Sequence, residues 1–236
     1  MGITRSVEIS APEDFARTAA DVLIREMLAA FGEGGAVSLC LAGGSTPRAV
    51  YGRLVATAES RIPPLPWDSV HVWFGDERWV DPSDPASNYR MAREALIDPA
   101  GLDERQVHRM PVGDGEPEAA AARYEEDLPA RFDVLILGIG EDGHTASLFP
   151  HSSAMREREH RVVPARSPVP PHSRLTITPP VIEGADRVVV LAAGANKAEA
   201  VAAAIEGDVT VEQCPARLAR DGIWVLDTAA AAQLKA

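Results

Sequence analysis

The run Val134-Leu135-Ile136-Leu137, followed at once by Gly138-Ile139-Gly140-Glu141-Asp142-Gly143-His144, constrains the fold more than any other stretch. Four consecutive apolar residues before a glycine turn lack the alternation of a half-exposed strand. They read as a strand buried on both faces, the kind found in parallel sheets covered by helices. Similar runs recur along the chain. Ala36–Ala42 runs into Gly43-Gly44-Ser45-Thr46-Pro47, Val70–Phe74 into Gly75–Val80, and Val188–Leu191 into Gly194-Ala195-Asn196-Lys197. Ile223–Leu226 is the last strand. Between them Phe15, Ala19, Val22, Leu23 and Met27 recur at helical spacing, and a further helix is expected over 118–128. The expected fold is α/β: a Rossmann-like, three-layer, open and mainly parallel sheet with helices on both faces, as a single domain over residues 1–236.

In such sheets ligands collect beyond the carboxyl ends of the strands, and four of these ends carry chemistry. After Leu137, Asp142 and His144 stand two apart with Gly143 between them to turn the chain. One reading makes His144 a general base oriented by Asp142; the other makes Asp142 a turn cap and His144 a surface residue. After Leu41, Gly43, Gly44, Ser45 and Thr46 precede Pro47 at a helix start. Free N–H groups, hydroxyls and close backbone approach suit an anion there, although the bland reading is a capped turn. It is not a Walker loop, because the lysine and its spacing are absent. After Phe74, Asp76, Glu77 and Arg78 either bind sugar hydroxyls and stabilise oxygen charge or form a salt-bridge cluster. Asn88 is read as a helix cap. Lys197 at a helix start opposes the helix dipole, a cost that a bound anion reverses.

Ser10, with Glu13 three residues on, reads as the first helix cap, Val107 as a short strand and the alanine-rich segment after Asp227 as a terminal helix. Residues 113–117 are polar turn chemistry, and 151–173 are a proline-rich excursion able to cover part of a site.

The formal net charge of −12 argues against nucleic acid or anionic membrane as a partner, but not against an anionic small substrate held by local cations. The two cysteines, Cys40 and Cys214, have no metal-ligand spacing and read as reduced thiols. The start lacks an apolar signal core and no run is long enough to span a membrane, so a cytoplasmic protein is expected. The histidines show no zinc spacing with His144, so no metal is expected.

Four groups of motifs resemble the 6-phosphogluconolactonase family, a branch of the wider glucosamine-6-phosphate deaminase and ribose-5-phosphate isomerase fold group. They are LAGGSTP at Leu41–Pro47; FGDERWV at Phe74–Val80 with SNYRMA at Ser87–Ala92; GIGEDGHTASLFP at Gly138–Pro150; and RLTIT at Arg174–Thr178 with GANK at Gly194–Lys197. The likeness extends to WVLDTAAA near the end. It implies that His144 is the base and Asp142 the carboxylate beside it, and that Arg78 lines the substrate site. It also implies that Gly43, Gly44, Ser45 and Thr46 cradle a phosphate with Arg174 and Lys197 as its cationic side. Relatives that deaminate amino sugars carry glutamate where this chain has Phe149 and tyrosine where it has Arg78. Glu141 departs from a proline frequent in lactonases.

The implied reaction is hydrolysis of 6-phospho-D-glucono-1,5-lactone without cofactor or metal. His144 would activate water, and N–H groups near Gly140–Gly143 with Arg78 would meet the oxyanion. A sugar-phosphate isomerase or deaminase, or a non-catalytic sugar-phosphate sensor, is the alternative. The expected partner is the phosphorylated lactone alone, and the expected state a monomer or weak homo-oligomer.

Overall fold

The computed structural model describes residues 5–113 and 115–235. The first four residues of the chain's start, Asp114 of the polar turn and the last residue of the alanine-rich end lie outside them. Six strands form one parallel sheet: β1 (Ser6–Ser10), β2 (Val37–Leu41), β3 (Val70–Phe74), β5 (Val134–Gly138), β8 (Val188–Ala192) and β9 (Ile223–Asp227). Their order is β1-β9-β8-β5-β2-β3. β8 and β9 are buried at every position, which explains their unbroken apolar runs: both faces are covered.

The order places the reversal of winding between β2 and β5. From β2 the chain moves outward to β3; from β5 it moves the other way, through β8 to β9. Right-handed crossovers then put the helices before and after the reversal on opposite faces. Accordingly α1 (Phe15–Gly34) and α2 (Ser45–Glu59), which make the β1–β2 and β2–β3 crossovers, pack against each other. The crevice between the carboxyl ends of β2 and β5 is where an open α/β sheet binds its ligand.

A second, antiparallel sheet of order β4-β7-β6 joins β4 (Asp76–Arg78), β6 (Val162–Arg166) and β7 (Ser173–Ile177). Asp76–Arg78, expected as loop, is therefore a strand, and the proline-rich excursion contributes β6, the edge strand on the far side of β7. Helices α3 (Asn88–Ala92) and α4 (Asp98–Ala100) are joined by a wider turn over Arg93–Ile97. They are followed by α5 (Pro117–Asp127), α6 (Pro179–Glu183) and α7 (Ala198–Ile205). Among the described residues no helix is long and apolar enough to cross a membrane.

Several local expectations give way. α1 starts after Asp14, not at Ser10, because Ser10 ends β1 in register with Asp227. Val107 makes a lone bridge to Val72. The alanine-rich end forms turns in which the Ala230 N–H donates to Asp227 Oδ1 (2.6 Å), since the buried Asp227 carboxylate is also held by the Gly194 N–H.

Candidate active site

The carboxyl end of β5 opens into a tight loop. The Gly140 N–H donates to the His144 carbonyl (2.8 Å) and the Gly143 N–H to the Gly140 carbonyl (3.1 Å). Gly143 has φ +82°, the left-handed region in which a side chain is strained, and a Cβ there would meet Cys214 Sγ at 2.8 Å. This turn converges the two expected residues: His144 Nδ1 lies 2.5 Å from Asp142 Oδ1, which also accepts from the His144 backbone N–H (3.1 Å). Partial burial, the largest single influence, pushes the Asp142 carboxyl up. The hydrogen bonds from the His144 ring and backbone outweigh it and hold the group below the usual carboxylate range. An ionised Asp142 is acceptor-only, so it takes the proton-bearing Nδ1 and leaves the His144 lone pair on Nε2. The ring packs against Phe149, centroids 4.7 Å apart, and a Cβ on Gly140 would lie 2.0 Å from Nδ1.

His144 and Phe149 line a cavity of about 310 Å³ with Gly43, Gly44, Asp76, Arg78 and Arg174. An adjoining cavity of about 150 Å³ is lined by Gly43, Gly44, Ser45, Thr46 and Lys197. Gly43, Gly44, Gly138 and Ile139 border both, so the glycine strap after β2 separates them with Arg174 on one side and Lys197 on the other. Gly44, at φ +102°, is the residue before α2; Ser45 and Thr46 are its first two residues, not its cap. The strap thus delivers unpaired helix N–H groups to the smaller cavity.

Arg78 and Arg174 stand directly opposite each other across β4 and β7. Burial, the largest influence, pushes the Arg174 guanidinium down; Asp76 and more weakly Glu77 oppose it, and the Arg78 charge adds to it. Arg174 Nε donates to the Pro171 carbonyl (2.8 Å), and Arg78 donates from Nη1 to the Ala86 carbonyl while its buried Nε has no partner. Two like charges facing each other on one cavity wall are destabilising until an anion or a dipole meets them.

Glu77 belongs to the scaffold. Its carboxylate accepts from the N–H groups of Arg78, Asn88 and Tyr89, each at 2.7 Å, and from Ser87 Oγ at 3.0 Å, anchoring the start of α3. Ser87 is the cap, accepting from the Arg90 N–H. Asn88, read from sequence as that cap, is instead buried against Asp76: its Nδ2 donates to the Asp76 carbonyl (2.8 Å) and Oδ1 (3.0 Å). Ser147 Oγ donates to Asp76 Oδ2 (2.6 Å). Neither contact carries a local sequence signal, because the partners lie 12 and 71 positions away. The N–H groups of Gly140 and Gly143, expected to meet an oxyanion, are spent within the loop. Among the described residues no three His, Cys, Asp or Glu side chains are grouped to hold a metal ion.

Comparison with known proteins bears on the family and the fold. The sequence model of the family described as "Glucosamine-6-phosphate isomerases/6-phosphogluconolactonase" matches residues 10–226. A 6-phosphogluconolactonase of Streptomyces coelicolor is 40% identical over 241 residues, covering 94% of this chain and 91% of the relative. One from Nostoc sp. is 36% identical over 227 residues, covering 91% of each. The solved structure of 6-phosphogluconolactonase from Trypanosoma cruzi superposes with a TM-score of 0.83 at 28% identity, covering 100% of this chain and 99% of that one. The chain belongs to the glucosamine-6-phosphate isomerase/6-phosphogluconolactonase family.

Proposed function

We propose that this protein hydrolyses 6-phospho-D-glucono-1,5-lactone to 6-phospho-D-gluconate, the second step of the oxidative pentose phosphate pathway. The observation that carries the reading is the Asp142–His144 pair, opening on a cavity that shares its glycine strap with a smaller anion pocket. The phosphate sits at the strap, held by the first N–H groups of α2, the hydroxyls of Ser45 and Thr46, and the flanking cations Arg174 and Lys197. The lactone ring lies in the larger cavity. Its carbonyl is electrophilic enough to need neither a covalent nucleophile nor a metal.

His144 Nε2 takes a proton from water as the water oxygen bonds to C1, and Asp142 stabilises the imidazolium that forms. Arg78 meets the oxyanion. The tetrahedral intermediate then collapses: the bond from C1 to the ring oxygen breaks, and that oxygen receives the proton from His144. Ring opening leaves the carboxylic acid, which ionises. Binding energy from the phosphate holds C1 in place for these steps. Phe149, packed on His144, occupies the place of the glutamate that deaminating relatives carry, which favours hydrolysis over deamination. The same reading makes the chain one α/β domain in the cytoplasm, a monomer or weak homo-oligomer, with a small-molecule substrate as its partner.

A pH-stat assay on freshly generated lactone, corrected for spontaneous opening, tests the proposal. His144→Ala is expected to lower kcat by about 10²- to 10⁴-fold while 6-phosphogluconate still binds. Wild-type turnover by that variant would remove His144 as the base. Lys197→Ala and Arg174→Ala are expected to weaken 6-phosphogluconate binding, and unchanged affinity in both would remove the phosphate pocket. Glucosamine 6-phosphate is expected to release no ammonia.

A further inference from the structure

The Asp76 carboxylate borders the larger cavity, yet it is 7% exposed and each oxygen already accepts one hydrogen bond: Oδ1 from Asn88 Nδ2 at 3.0 Å and Oδ2 from Ser147 Oγ at 2.6 Å. Both donors are themselves fixed at the backbone. The Asn88 N–H donates to Glu77 Oε1 (2.7 Å), and the Ser147 N–H to Thr176 Oγ1 (3.1 Å). Ser147 and Thr176 are buried, and Asn88 is 2% exposed.

Asn88 also carries a feature that stability alone does not explain. Its Oδ1 is buried without a partner and seated against the strap, where a Cβ on Gly43 would lie 2.0 Å from it. A buried acceptor left unpaired is penalised, and an apolar residue of that shape would avoid the penalty. What the amide supplies in return is its Nδ2 bond to Asp76. Three segments are therefore linked at one carboxylate: the β2 strap by way of Asn88, which sits against Gly43, β4 through Asp76 itself, and the loop after β5 through Ser147.

We propose that Asn88 and Ser147 are positioning residues that act through Asp76, aiming its carboxylate at a ring hydroxyl of the bound lactone. This rests on the functional reading above. A carboxylate offers about four lone-pair directions, and two donors leave about two for substrate. Clamped from both sides, Asp76 cannot swing to pair with Arg78 or Arg174. Neither arginine has a carboxylate within ion-pair distance among the described residues, so both cations stay available to substrate. Ser147 sits three residues after His144, so the same bond that aims Asp76 also ties the hydroxyl acceptor to the loop that carries the base.

A double-mutant cycle decides the matter, with kcat on phosphogluconolactone and affinity for inorganic phosphate read for each protein. Ser147→Ala and Asn88→Ala are each expected to lower kcat by about ten- to a hundredfold, the range of one hydrogen bond to a charged group. Affinity for inorganic phosphate at the strap should not change in Ser147→Ala. Ser147→Thr, which keeps the hydroxyl, should recover most of the rate. In an Asp76→Ala background the further loss from Ser147→Ala should disappear, because the partner through which it acts is gone. Wild-type kcat in Ser147→Ala overturns the inference, as does a loss that multiplies undiminished onto that of Asp76→Ala. If Asn88→Ala does not fold, the Ser147 cycle with Ser147→Thr decides alone. An unaltered protein inactive on the lactone would overturn the functional reading first, and this inference with it.

Discussion

At the scale of single residues, the candidate base is held by what is absent at Gly140 as much as by what is present at Asp142. Gly140 does not have a left-handed φ, so alanine is permitted there by the backbone but not by the imidazole, whose Nδ1 would lie 2.0 Å from the new Cβ. Gly140→Ala is therefore expected to turn the ring off Asp142 and lower kcat by at least about tenfold. Steady-state kinetics, with NMR of the His144 ring protons, check both halves of that statement. Asp142 leaves a second mark. Its folded-state carboxyl is held below the ordinary range by His144, so the stability it contributes is fully present above the unfolded value near 3.9 and is lost as pH falls through the lowered folded value. The stability difference between the unaltered protein and Asp142→Asn should shrink on acidification below about pH 4. Urea titrations at several pH values measure it, and a difference that grows as pH falls below about 4 would contradict the assignment.

At the scale of elements, the strands were legible because buried parallel strands announce themselves by composition, whereas the caps were not. Ser10 and Asn88 both have the chemistry of a cap, and each was claimed by a partner far along the chain: Ser10 by the β1–β9 ladder, Asn88 by Asp76. The strand character of Asp76–Arg78 was hidden for the same reason, since its charged residues pair with β7 nearly 100 positions later. Glu77 shows the value of such a connection. It collects three backbone N–H groups and the Ser87 hydroxyl, and burial pushes its carboxyl up despite those bonds. Glu77→Ala leaves those donors buried without an acceptor. It is expected to cost about 3 kcal/mol, a fall of roughly 6–12 °C in Tm for a domain of this size. Calorimetry reads it directly.

At the scale of the whole molecule, residues of both sheets, from Leu39 and Ile136 to Leu175 and Ile177, join one hydrophobic cluster. A single cooperative unfolding transition is expected, with circular dichroism and tryptophan fluorescence coinciding. Net charge and local charge oppose each other. The formal −12 repels a phosphorylated substrate at long range, while Arg78, Arg174 and Lys197 attract it within the cavities. At an ionic strength near 0.1 M the screening length is about 10 Å, so the local cations govern binding. Raising salt from that point should lower kcat/KM; a rise would mean that the distant field dominates.

The amino-acid sequence by itself determined the buried strands of the parallel sheet, the glycine turns that end them and the Asp142–Gly143–His144 spacing, because burial on two faces and tight turning are local demands on residue type. Only the tertiary structure decided that β2 and β5 lie side by side at the reversal of winding. It alone divided Arg174 and Lys197 between two adjoining cavities, spent the N–H groups of Gly140 and Gly143 inside their own loop, and fastened Asn88 and Ser147 to Asp76. Those outcomes depend on which distant groups compete for each donor and acceptor, and that competition exists only once the chain has closed.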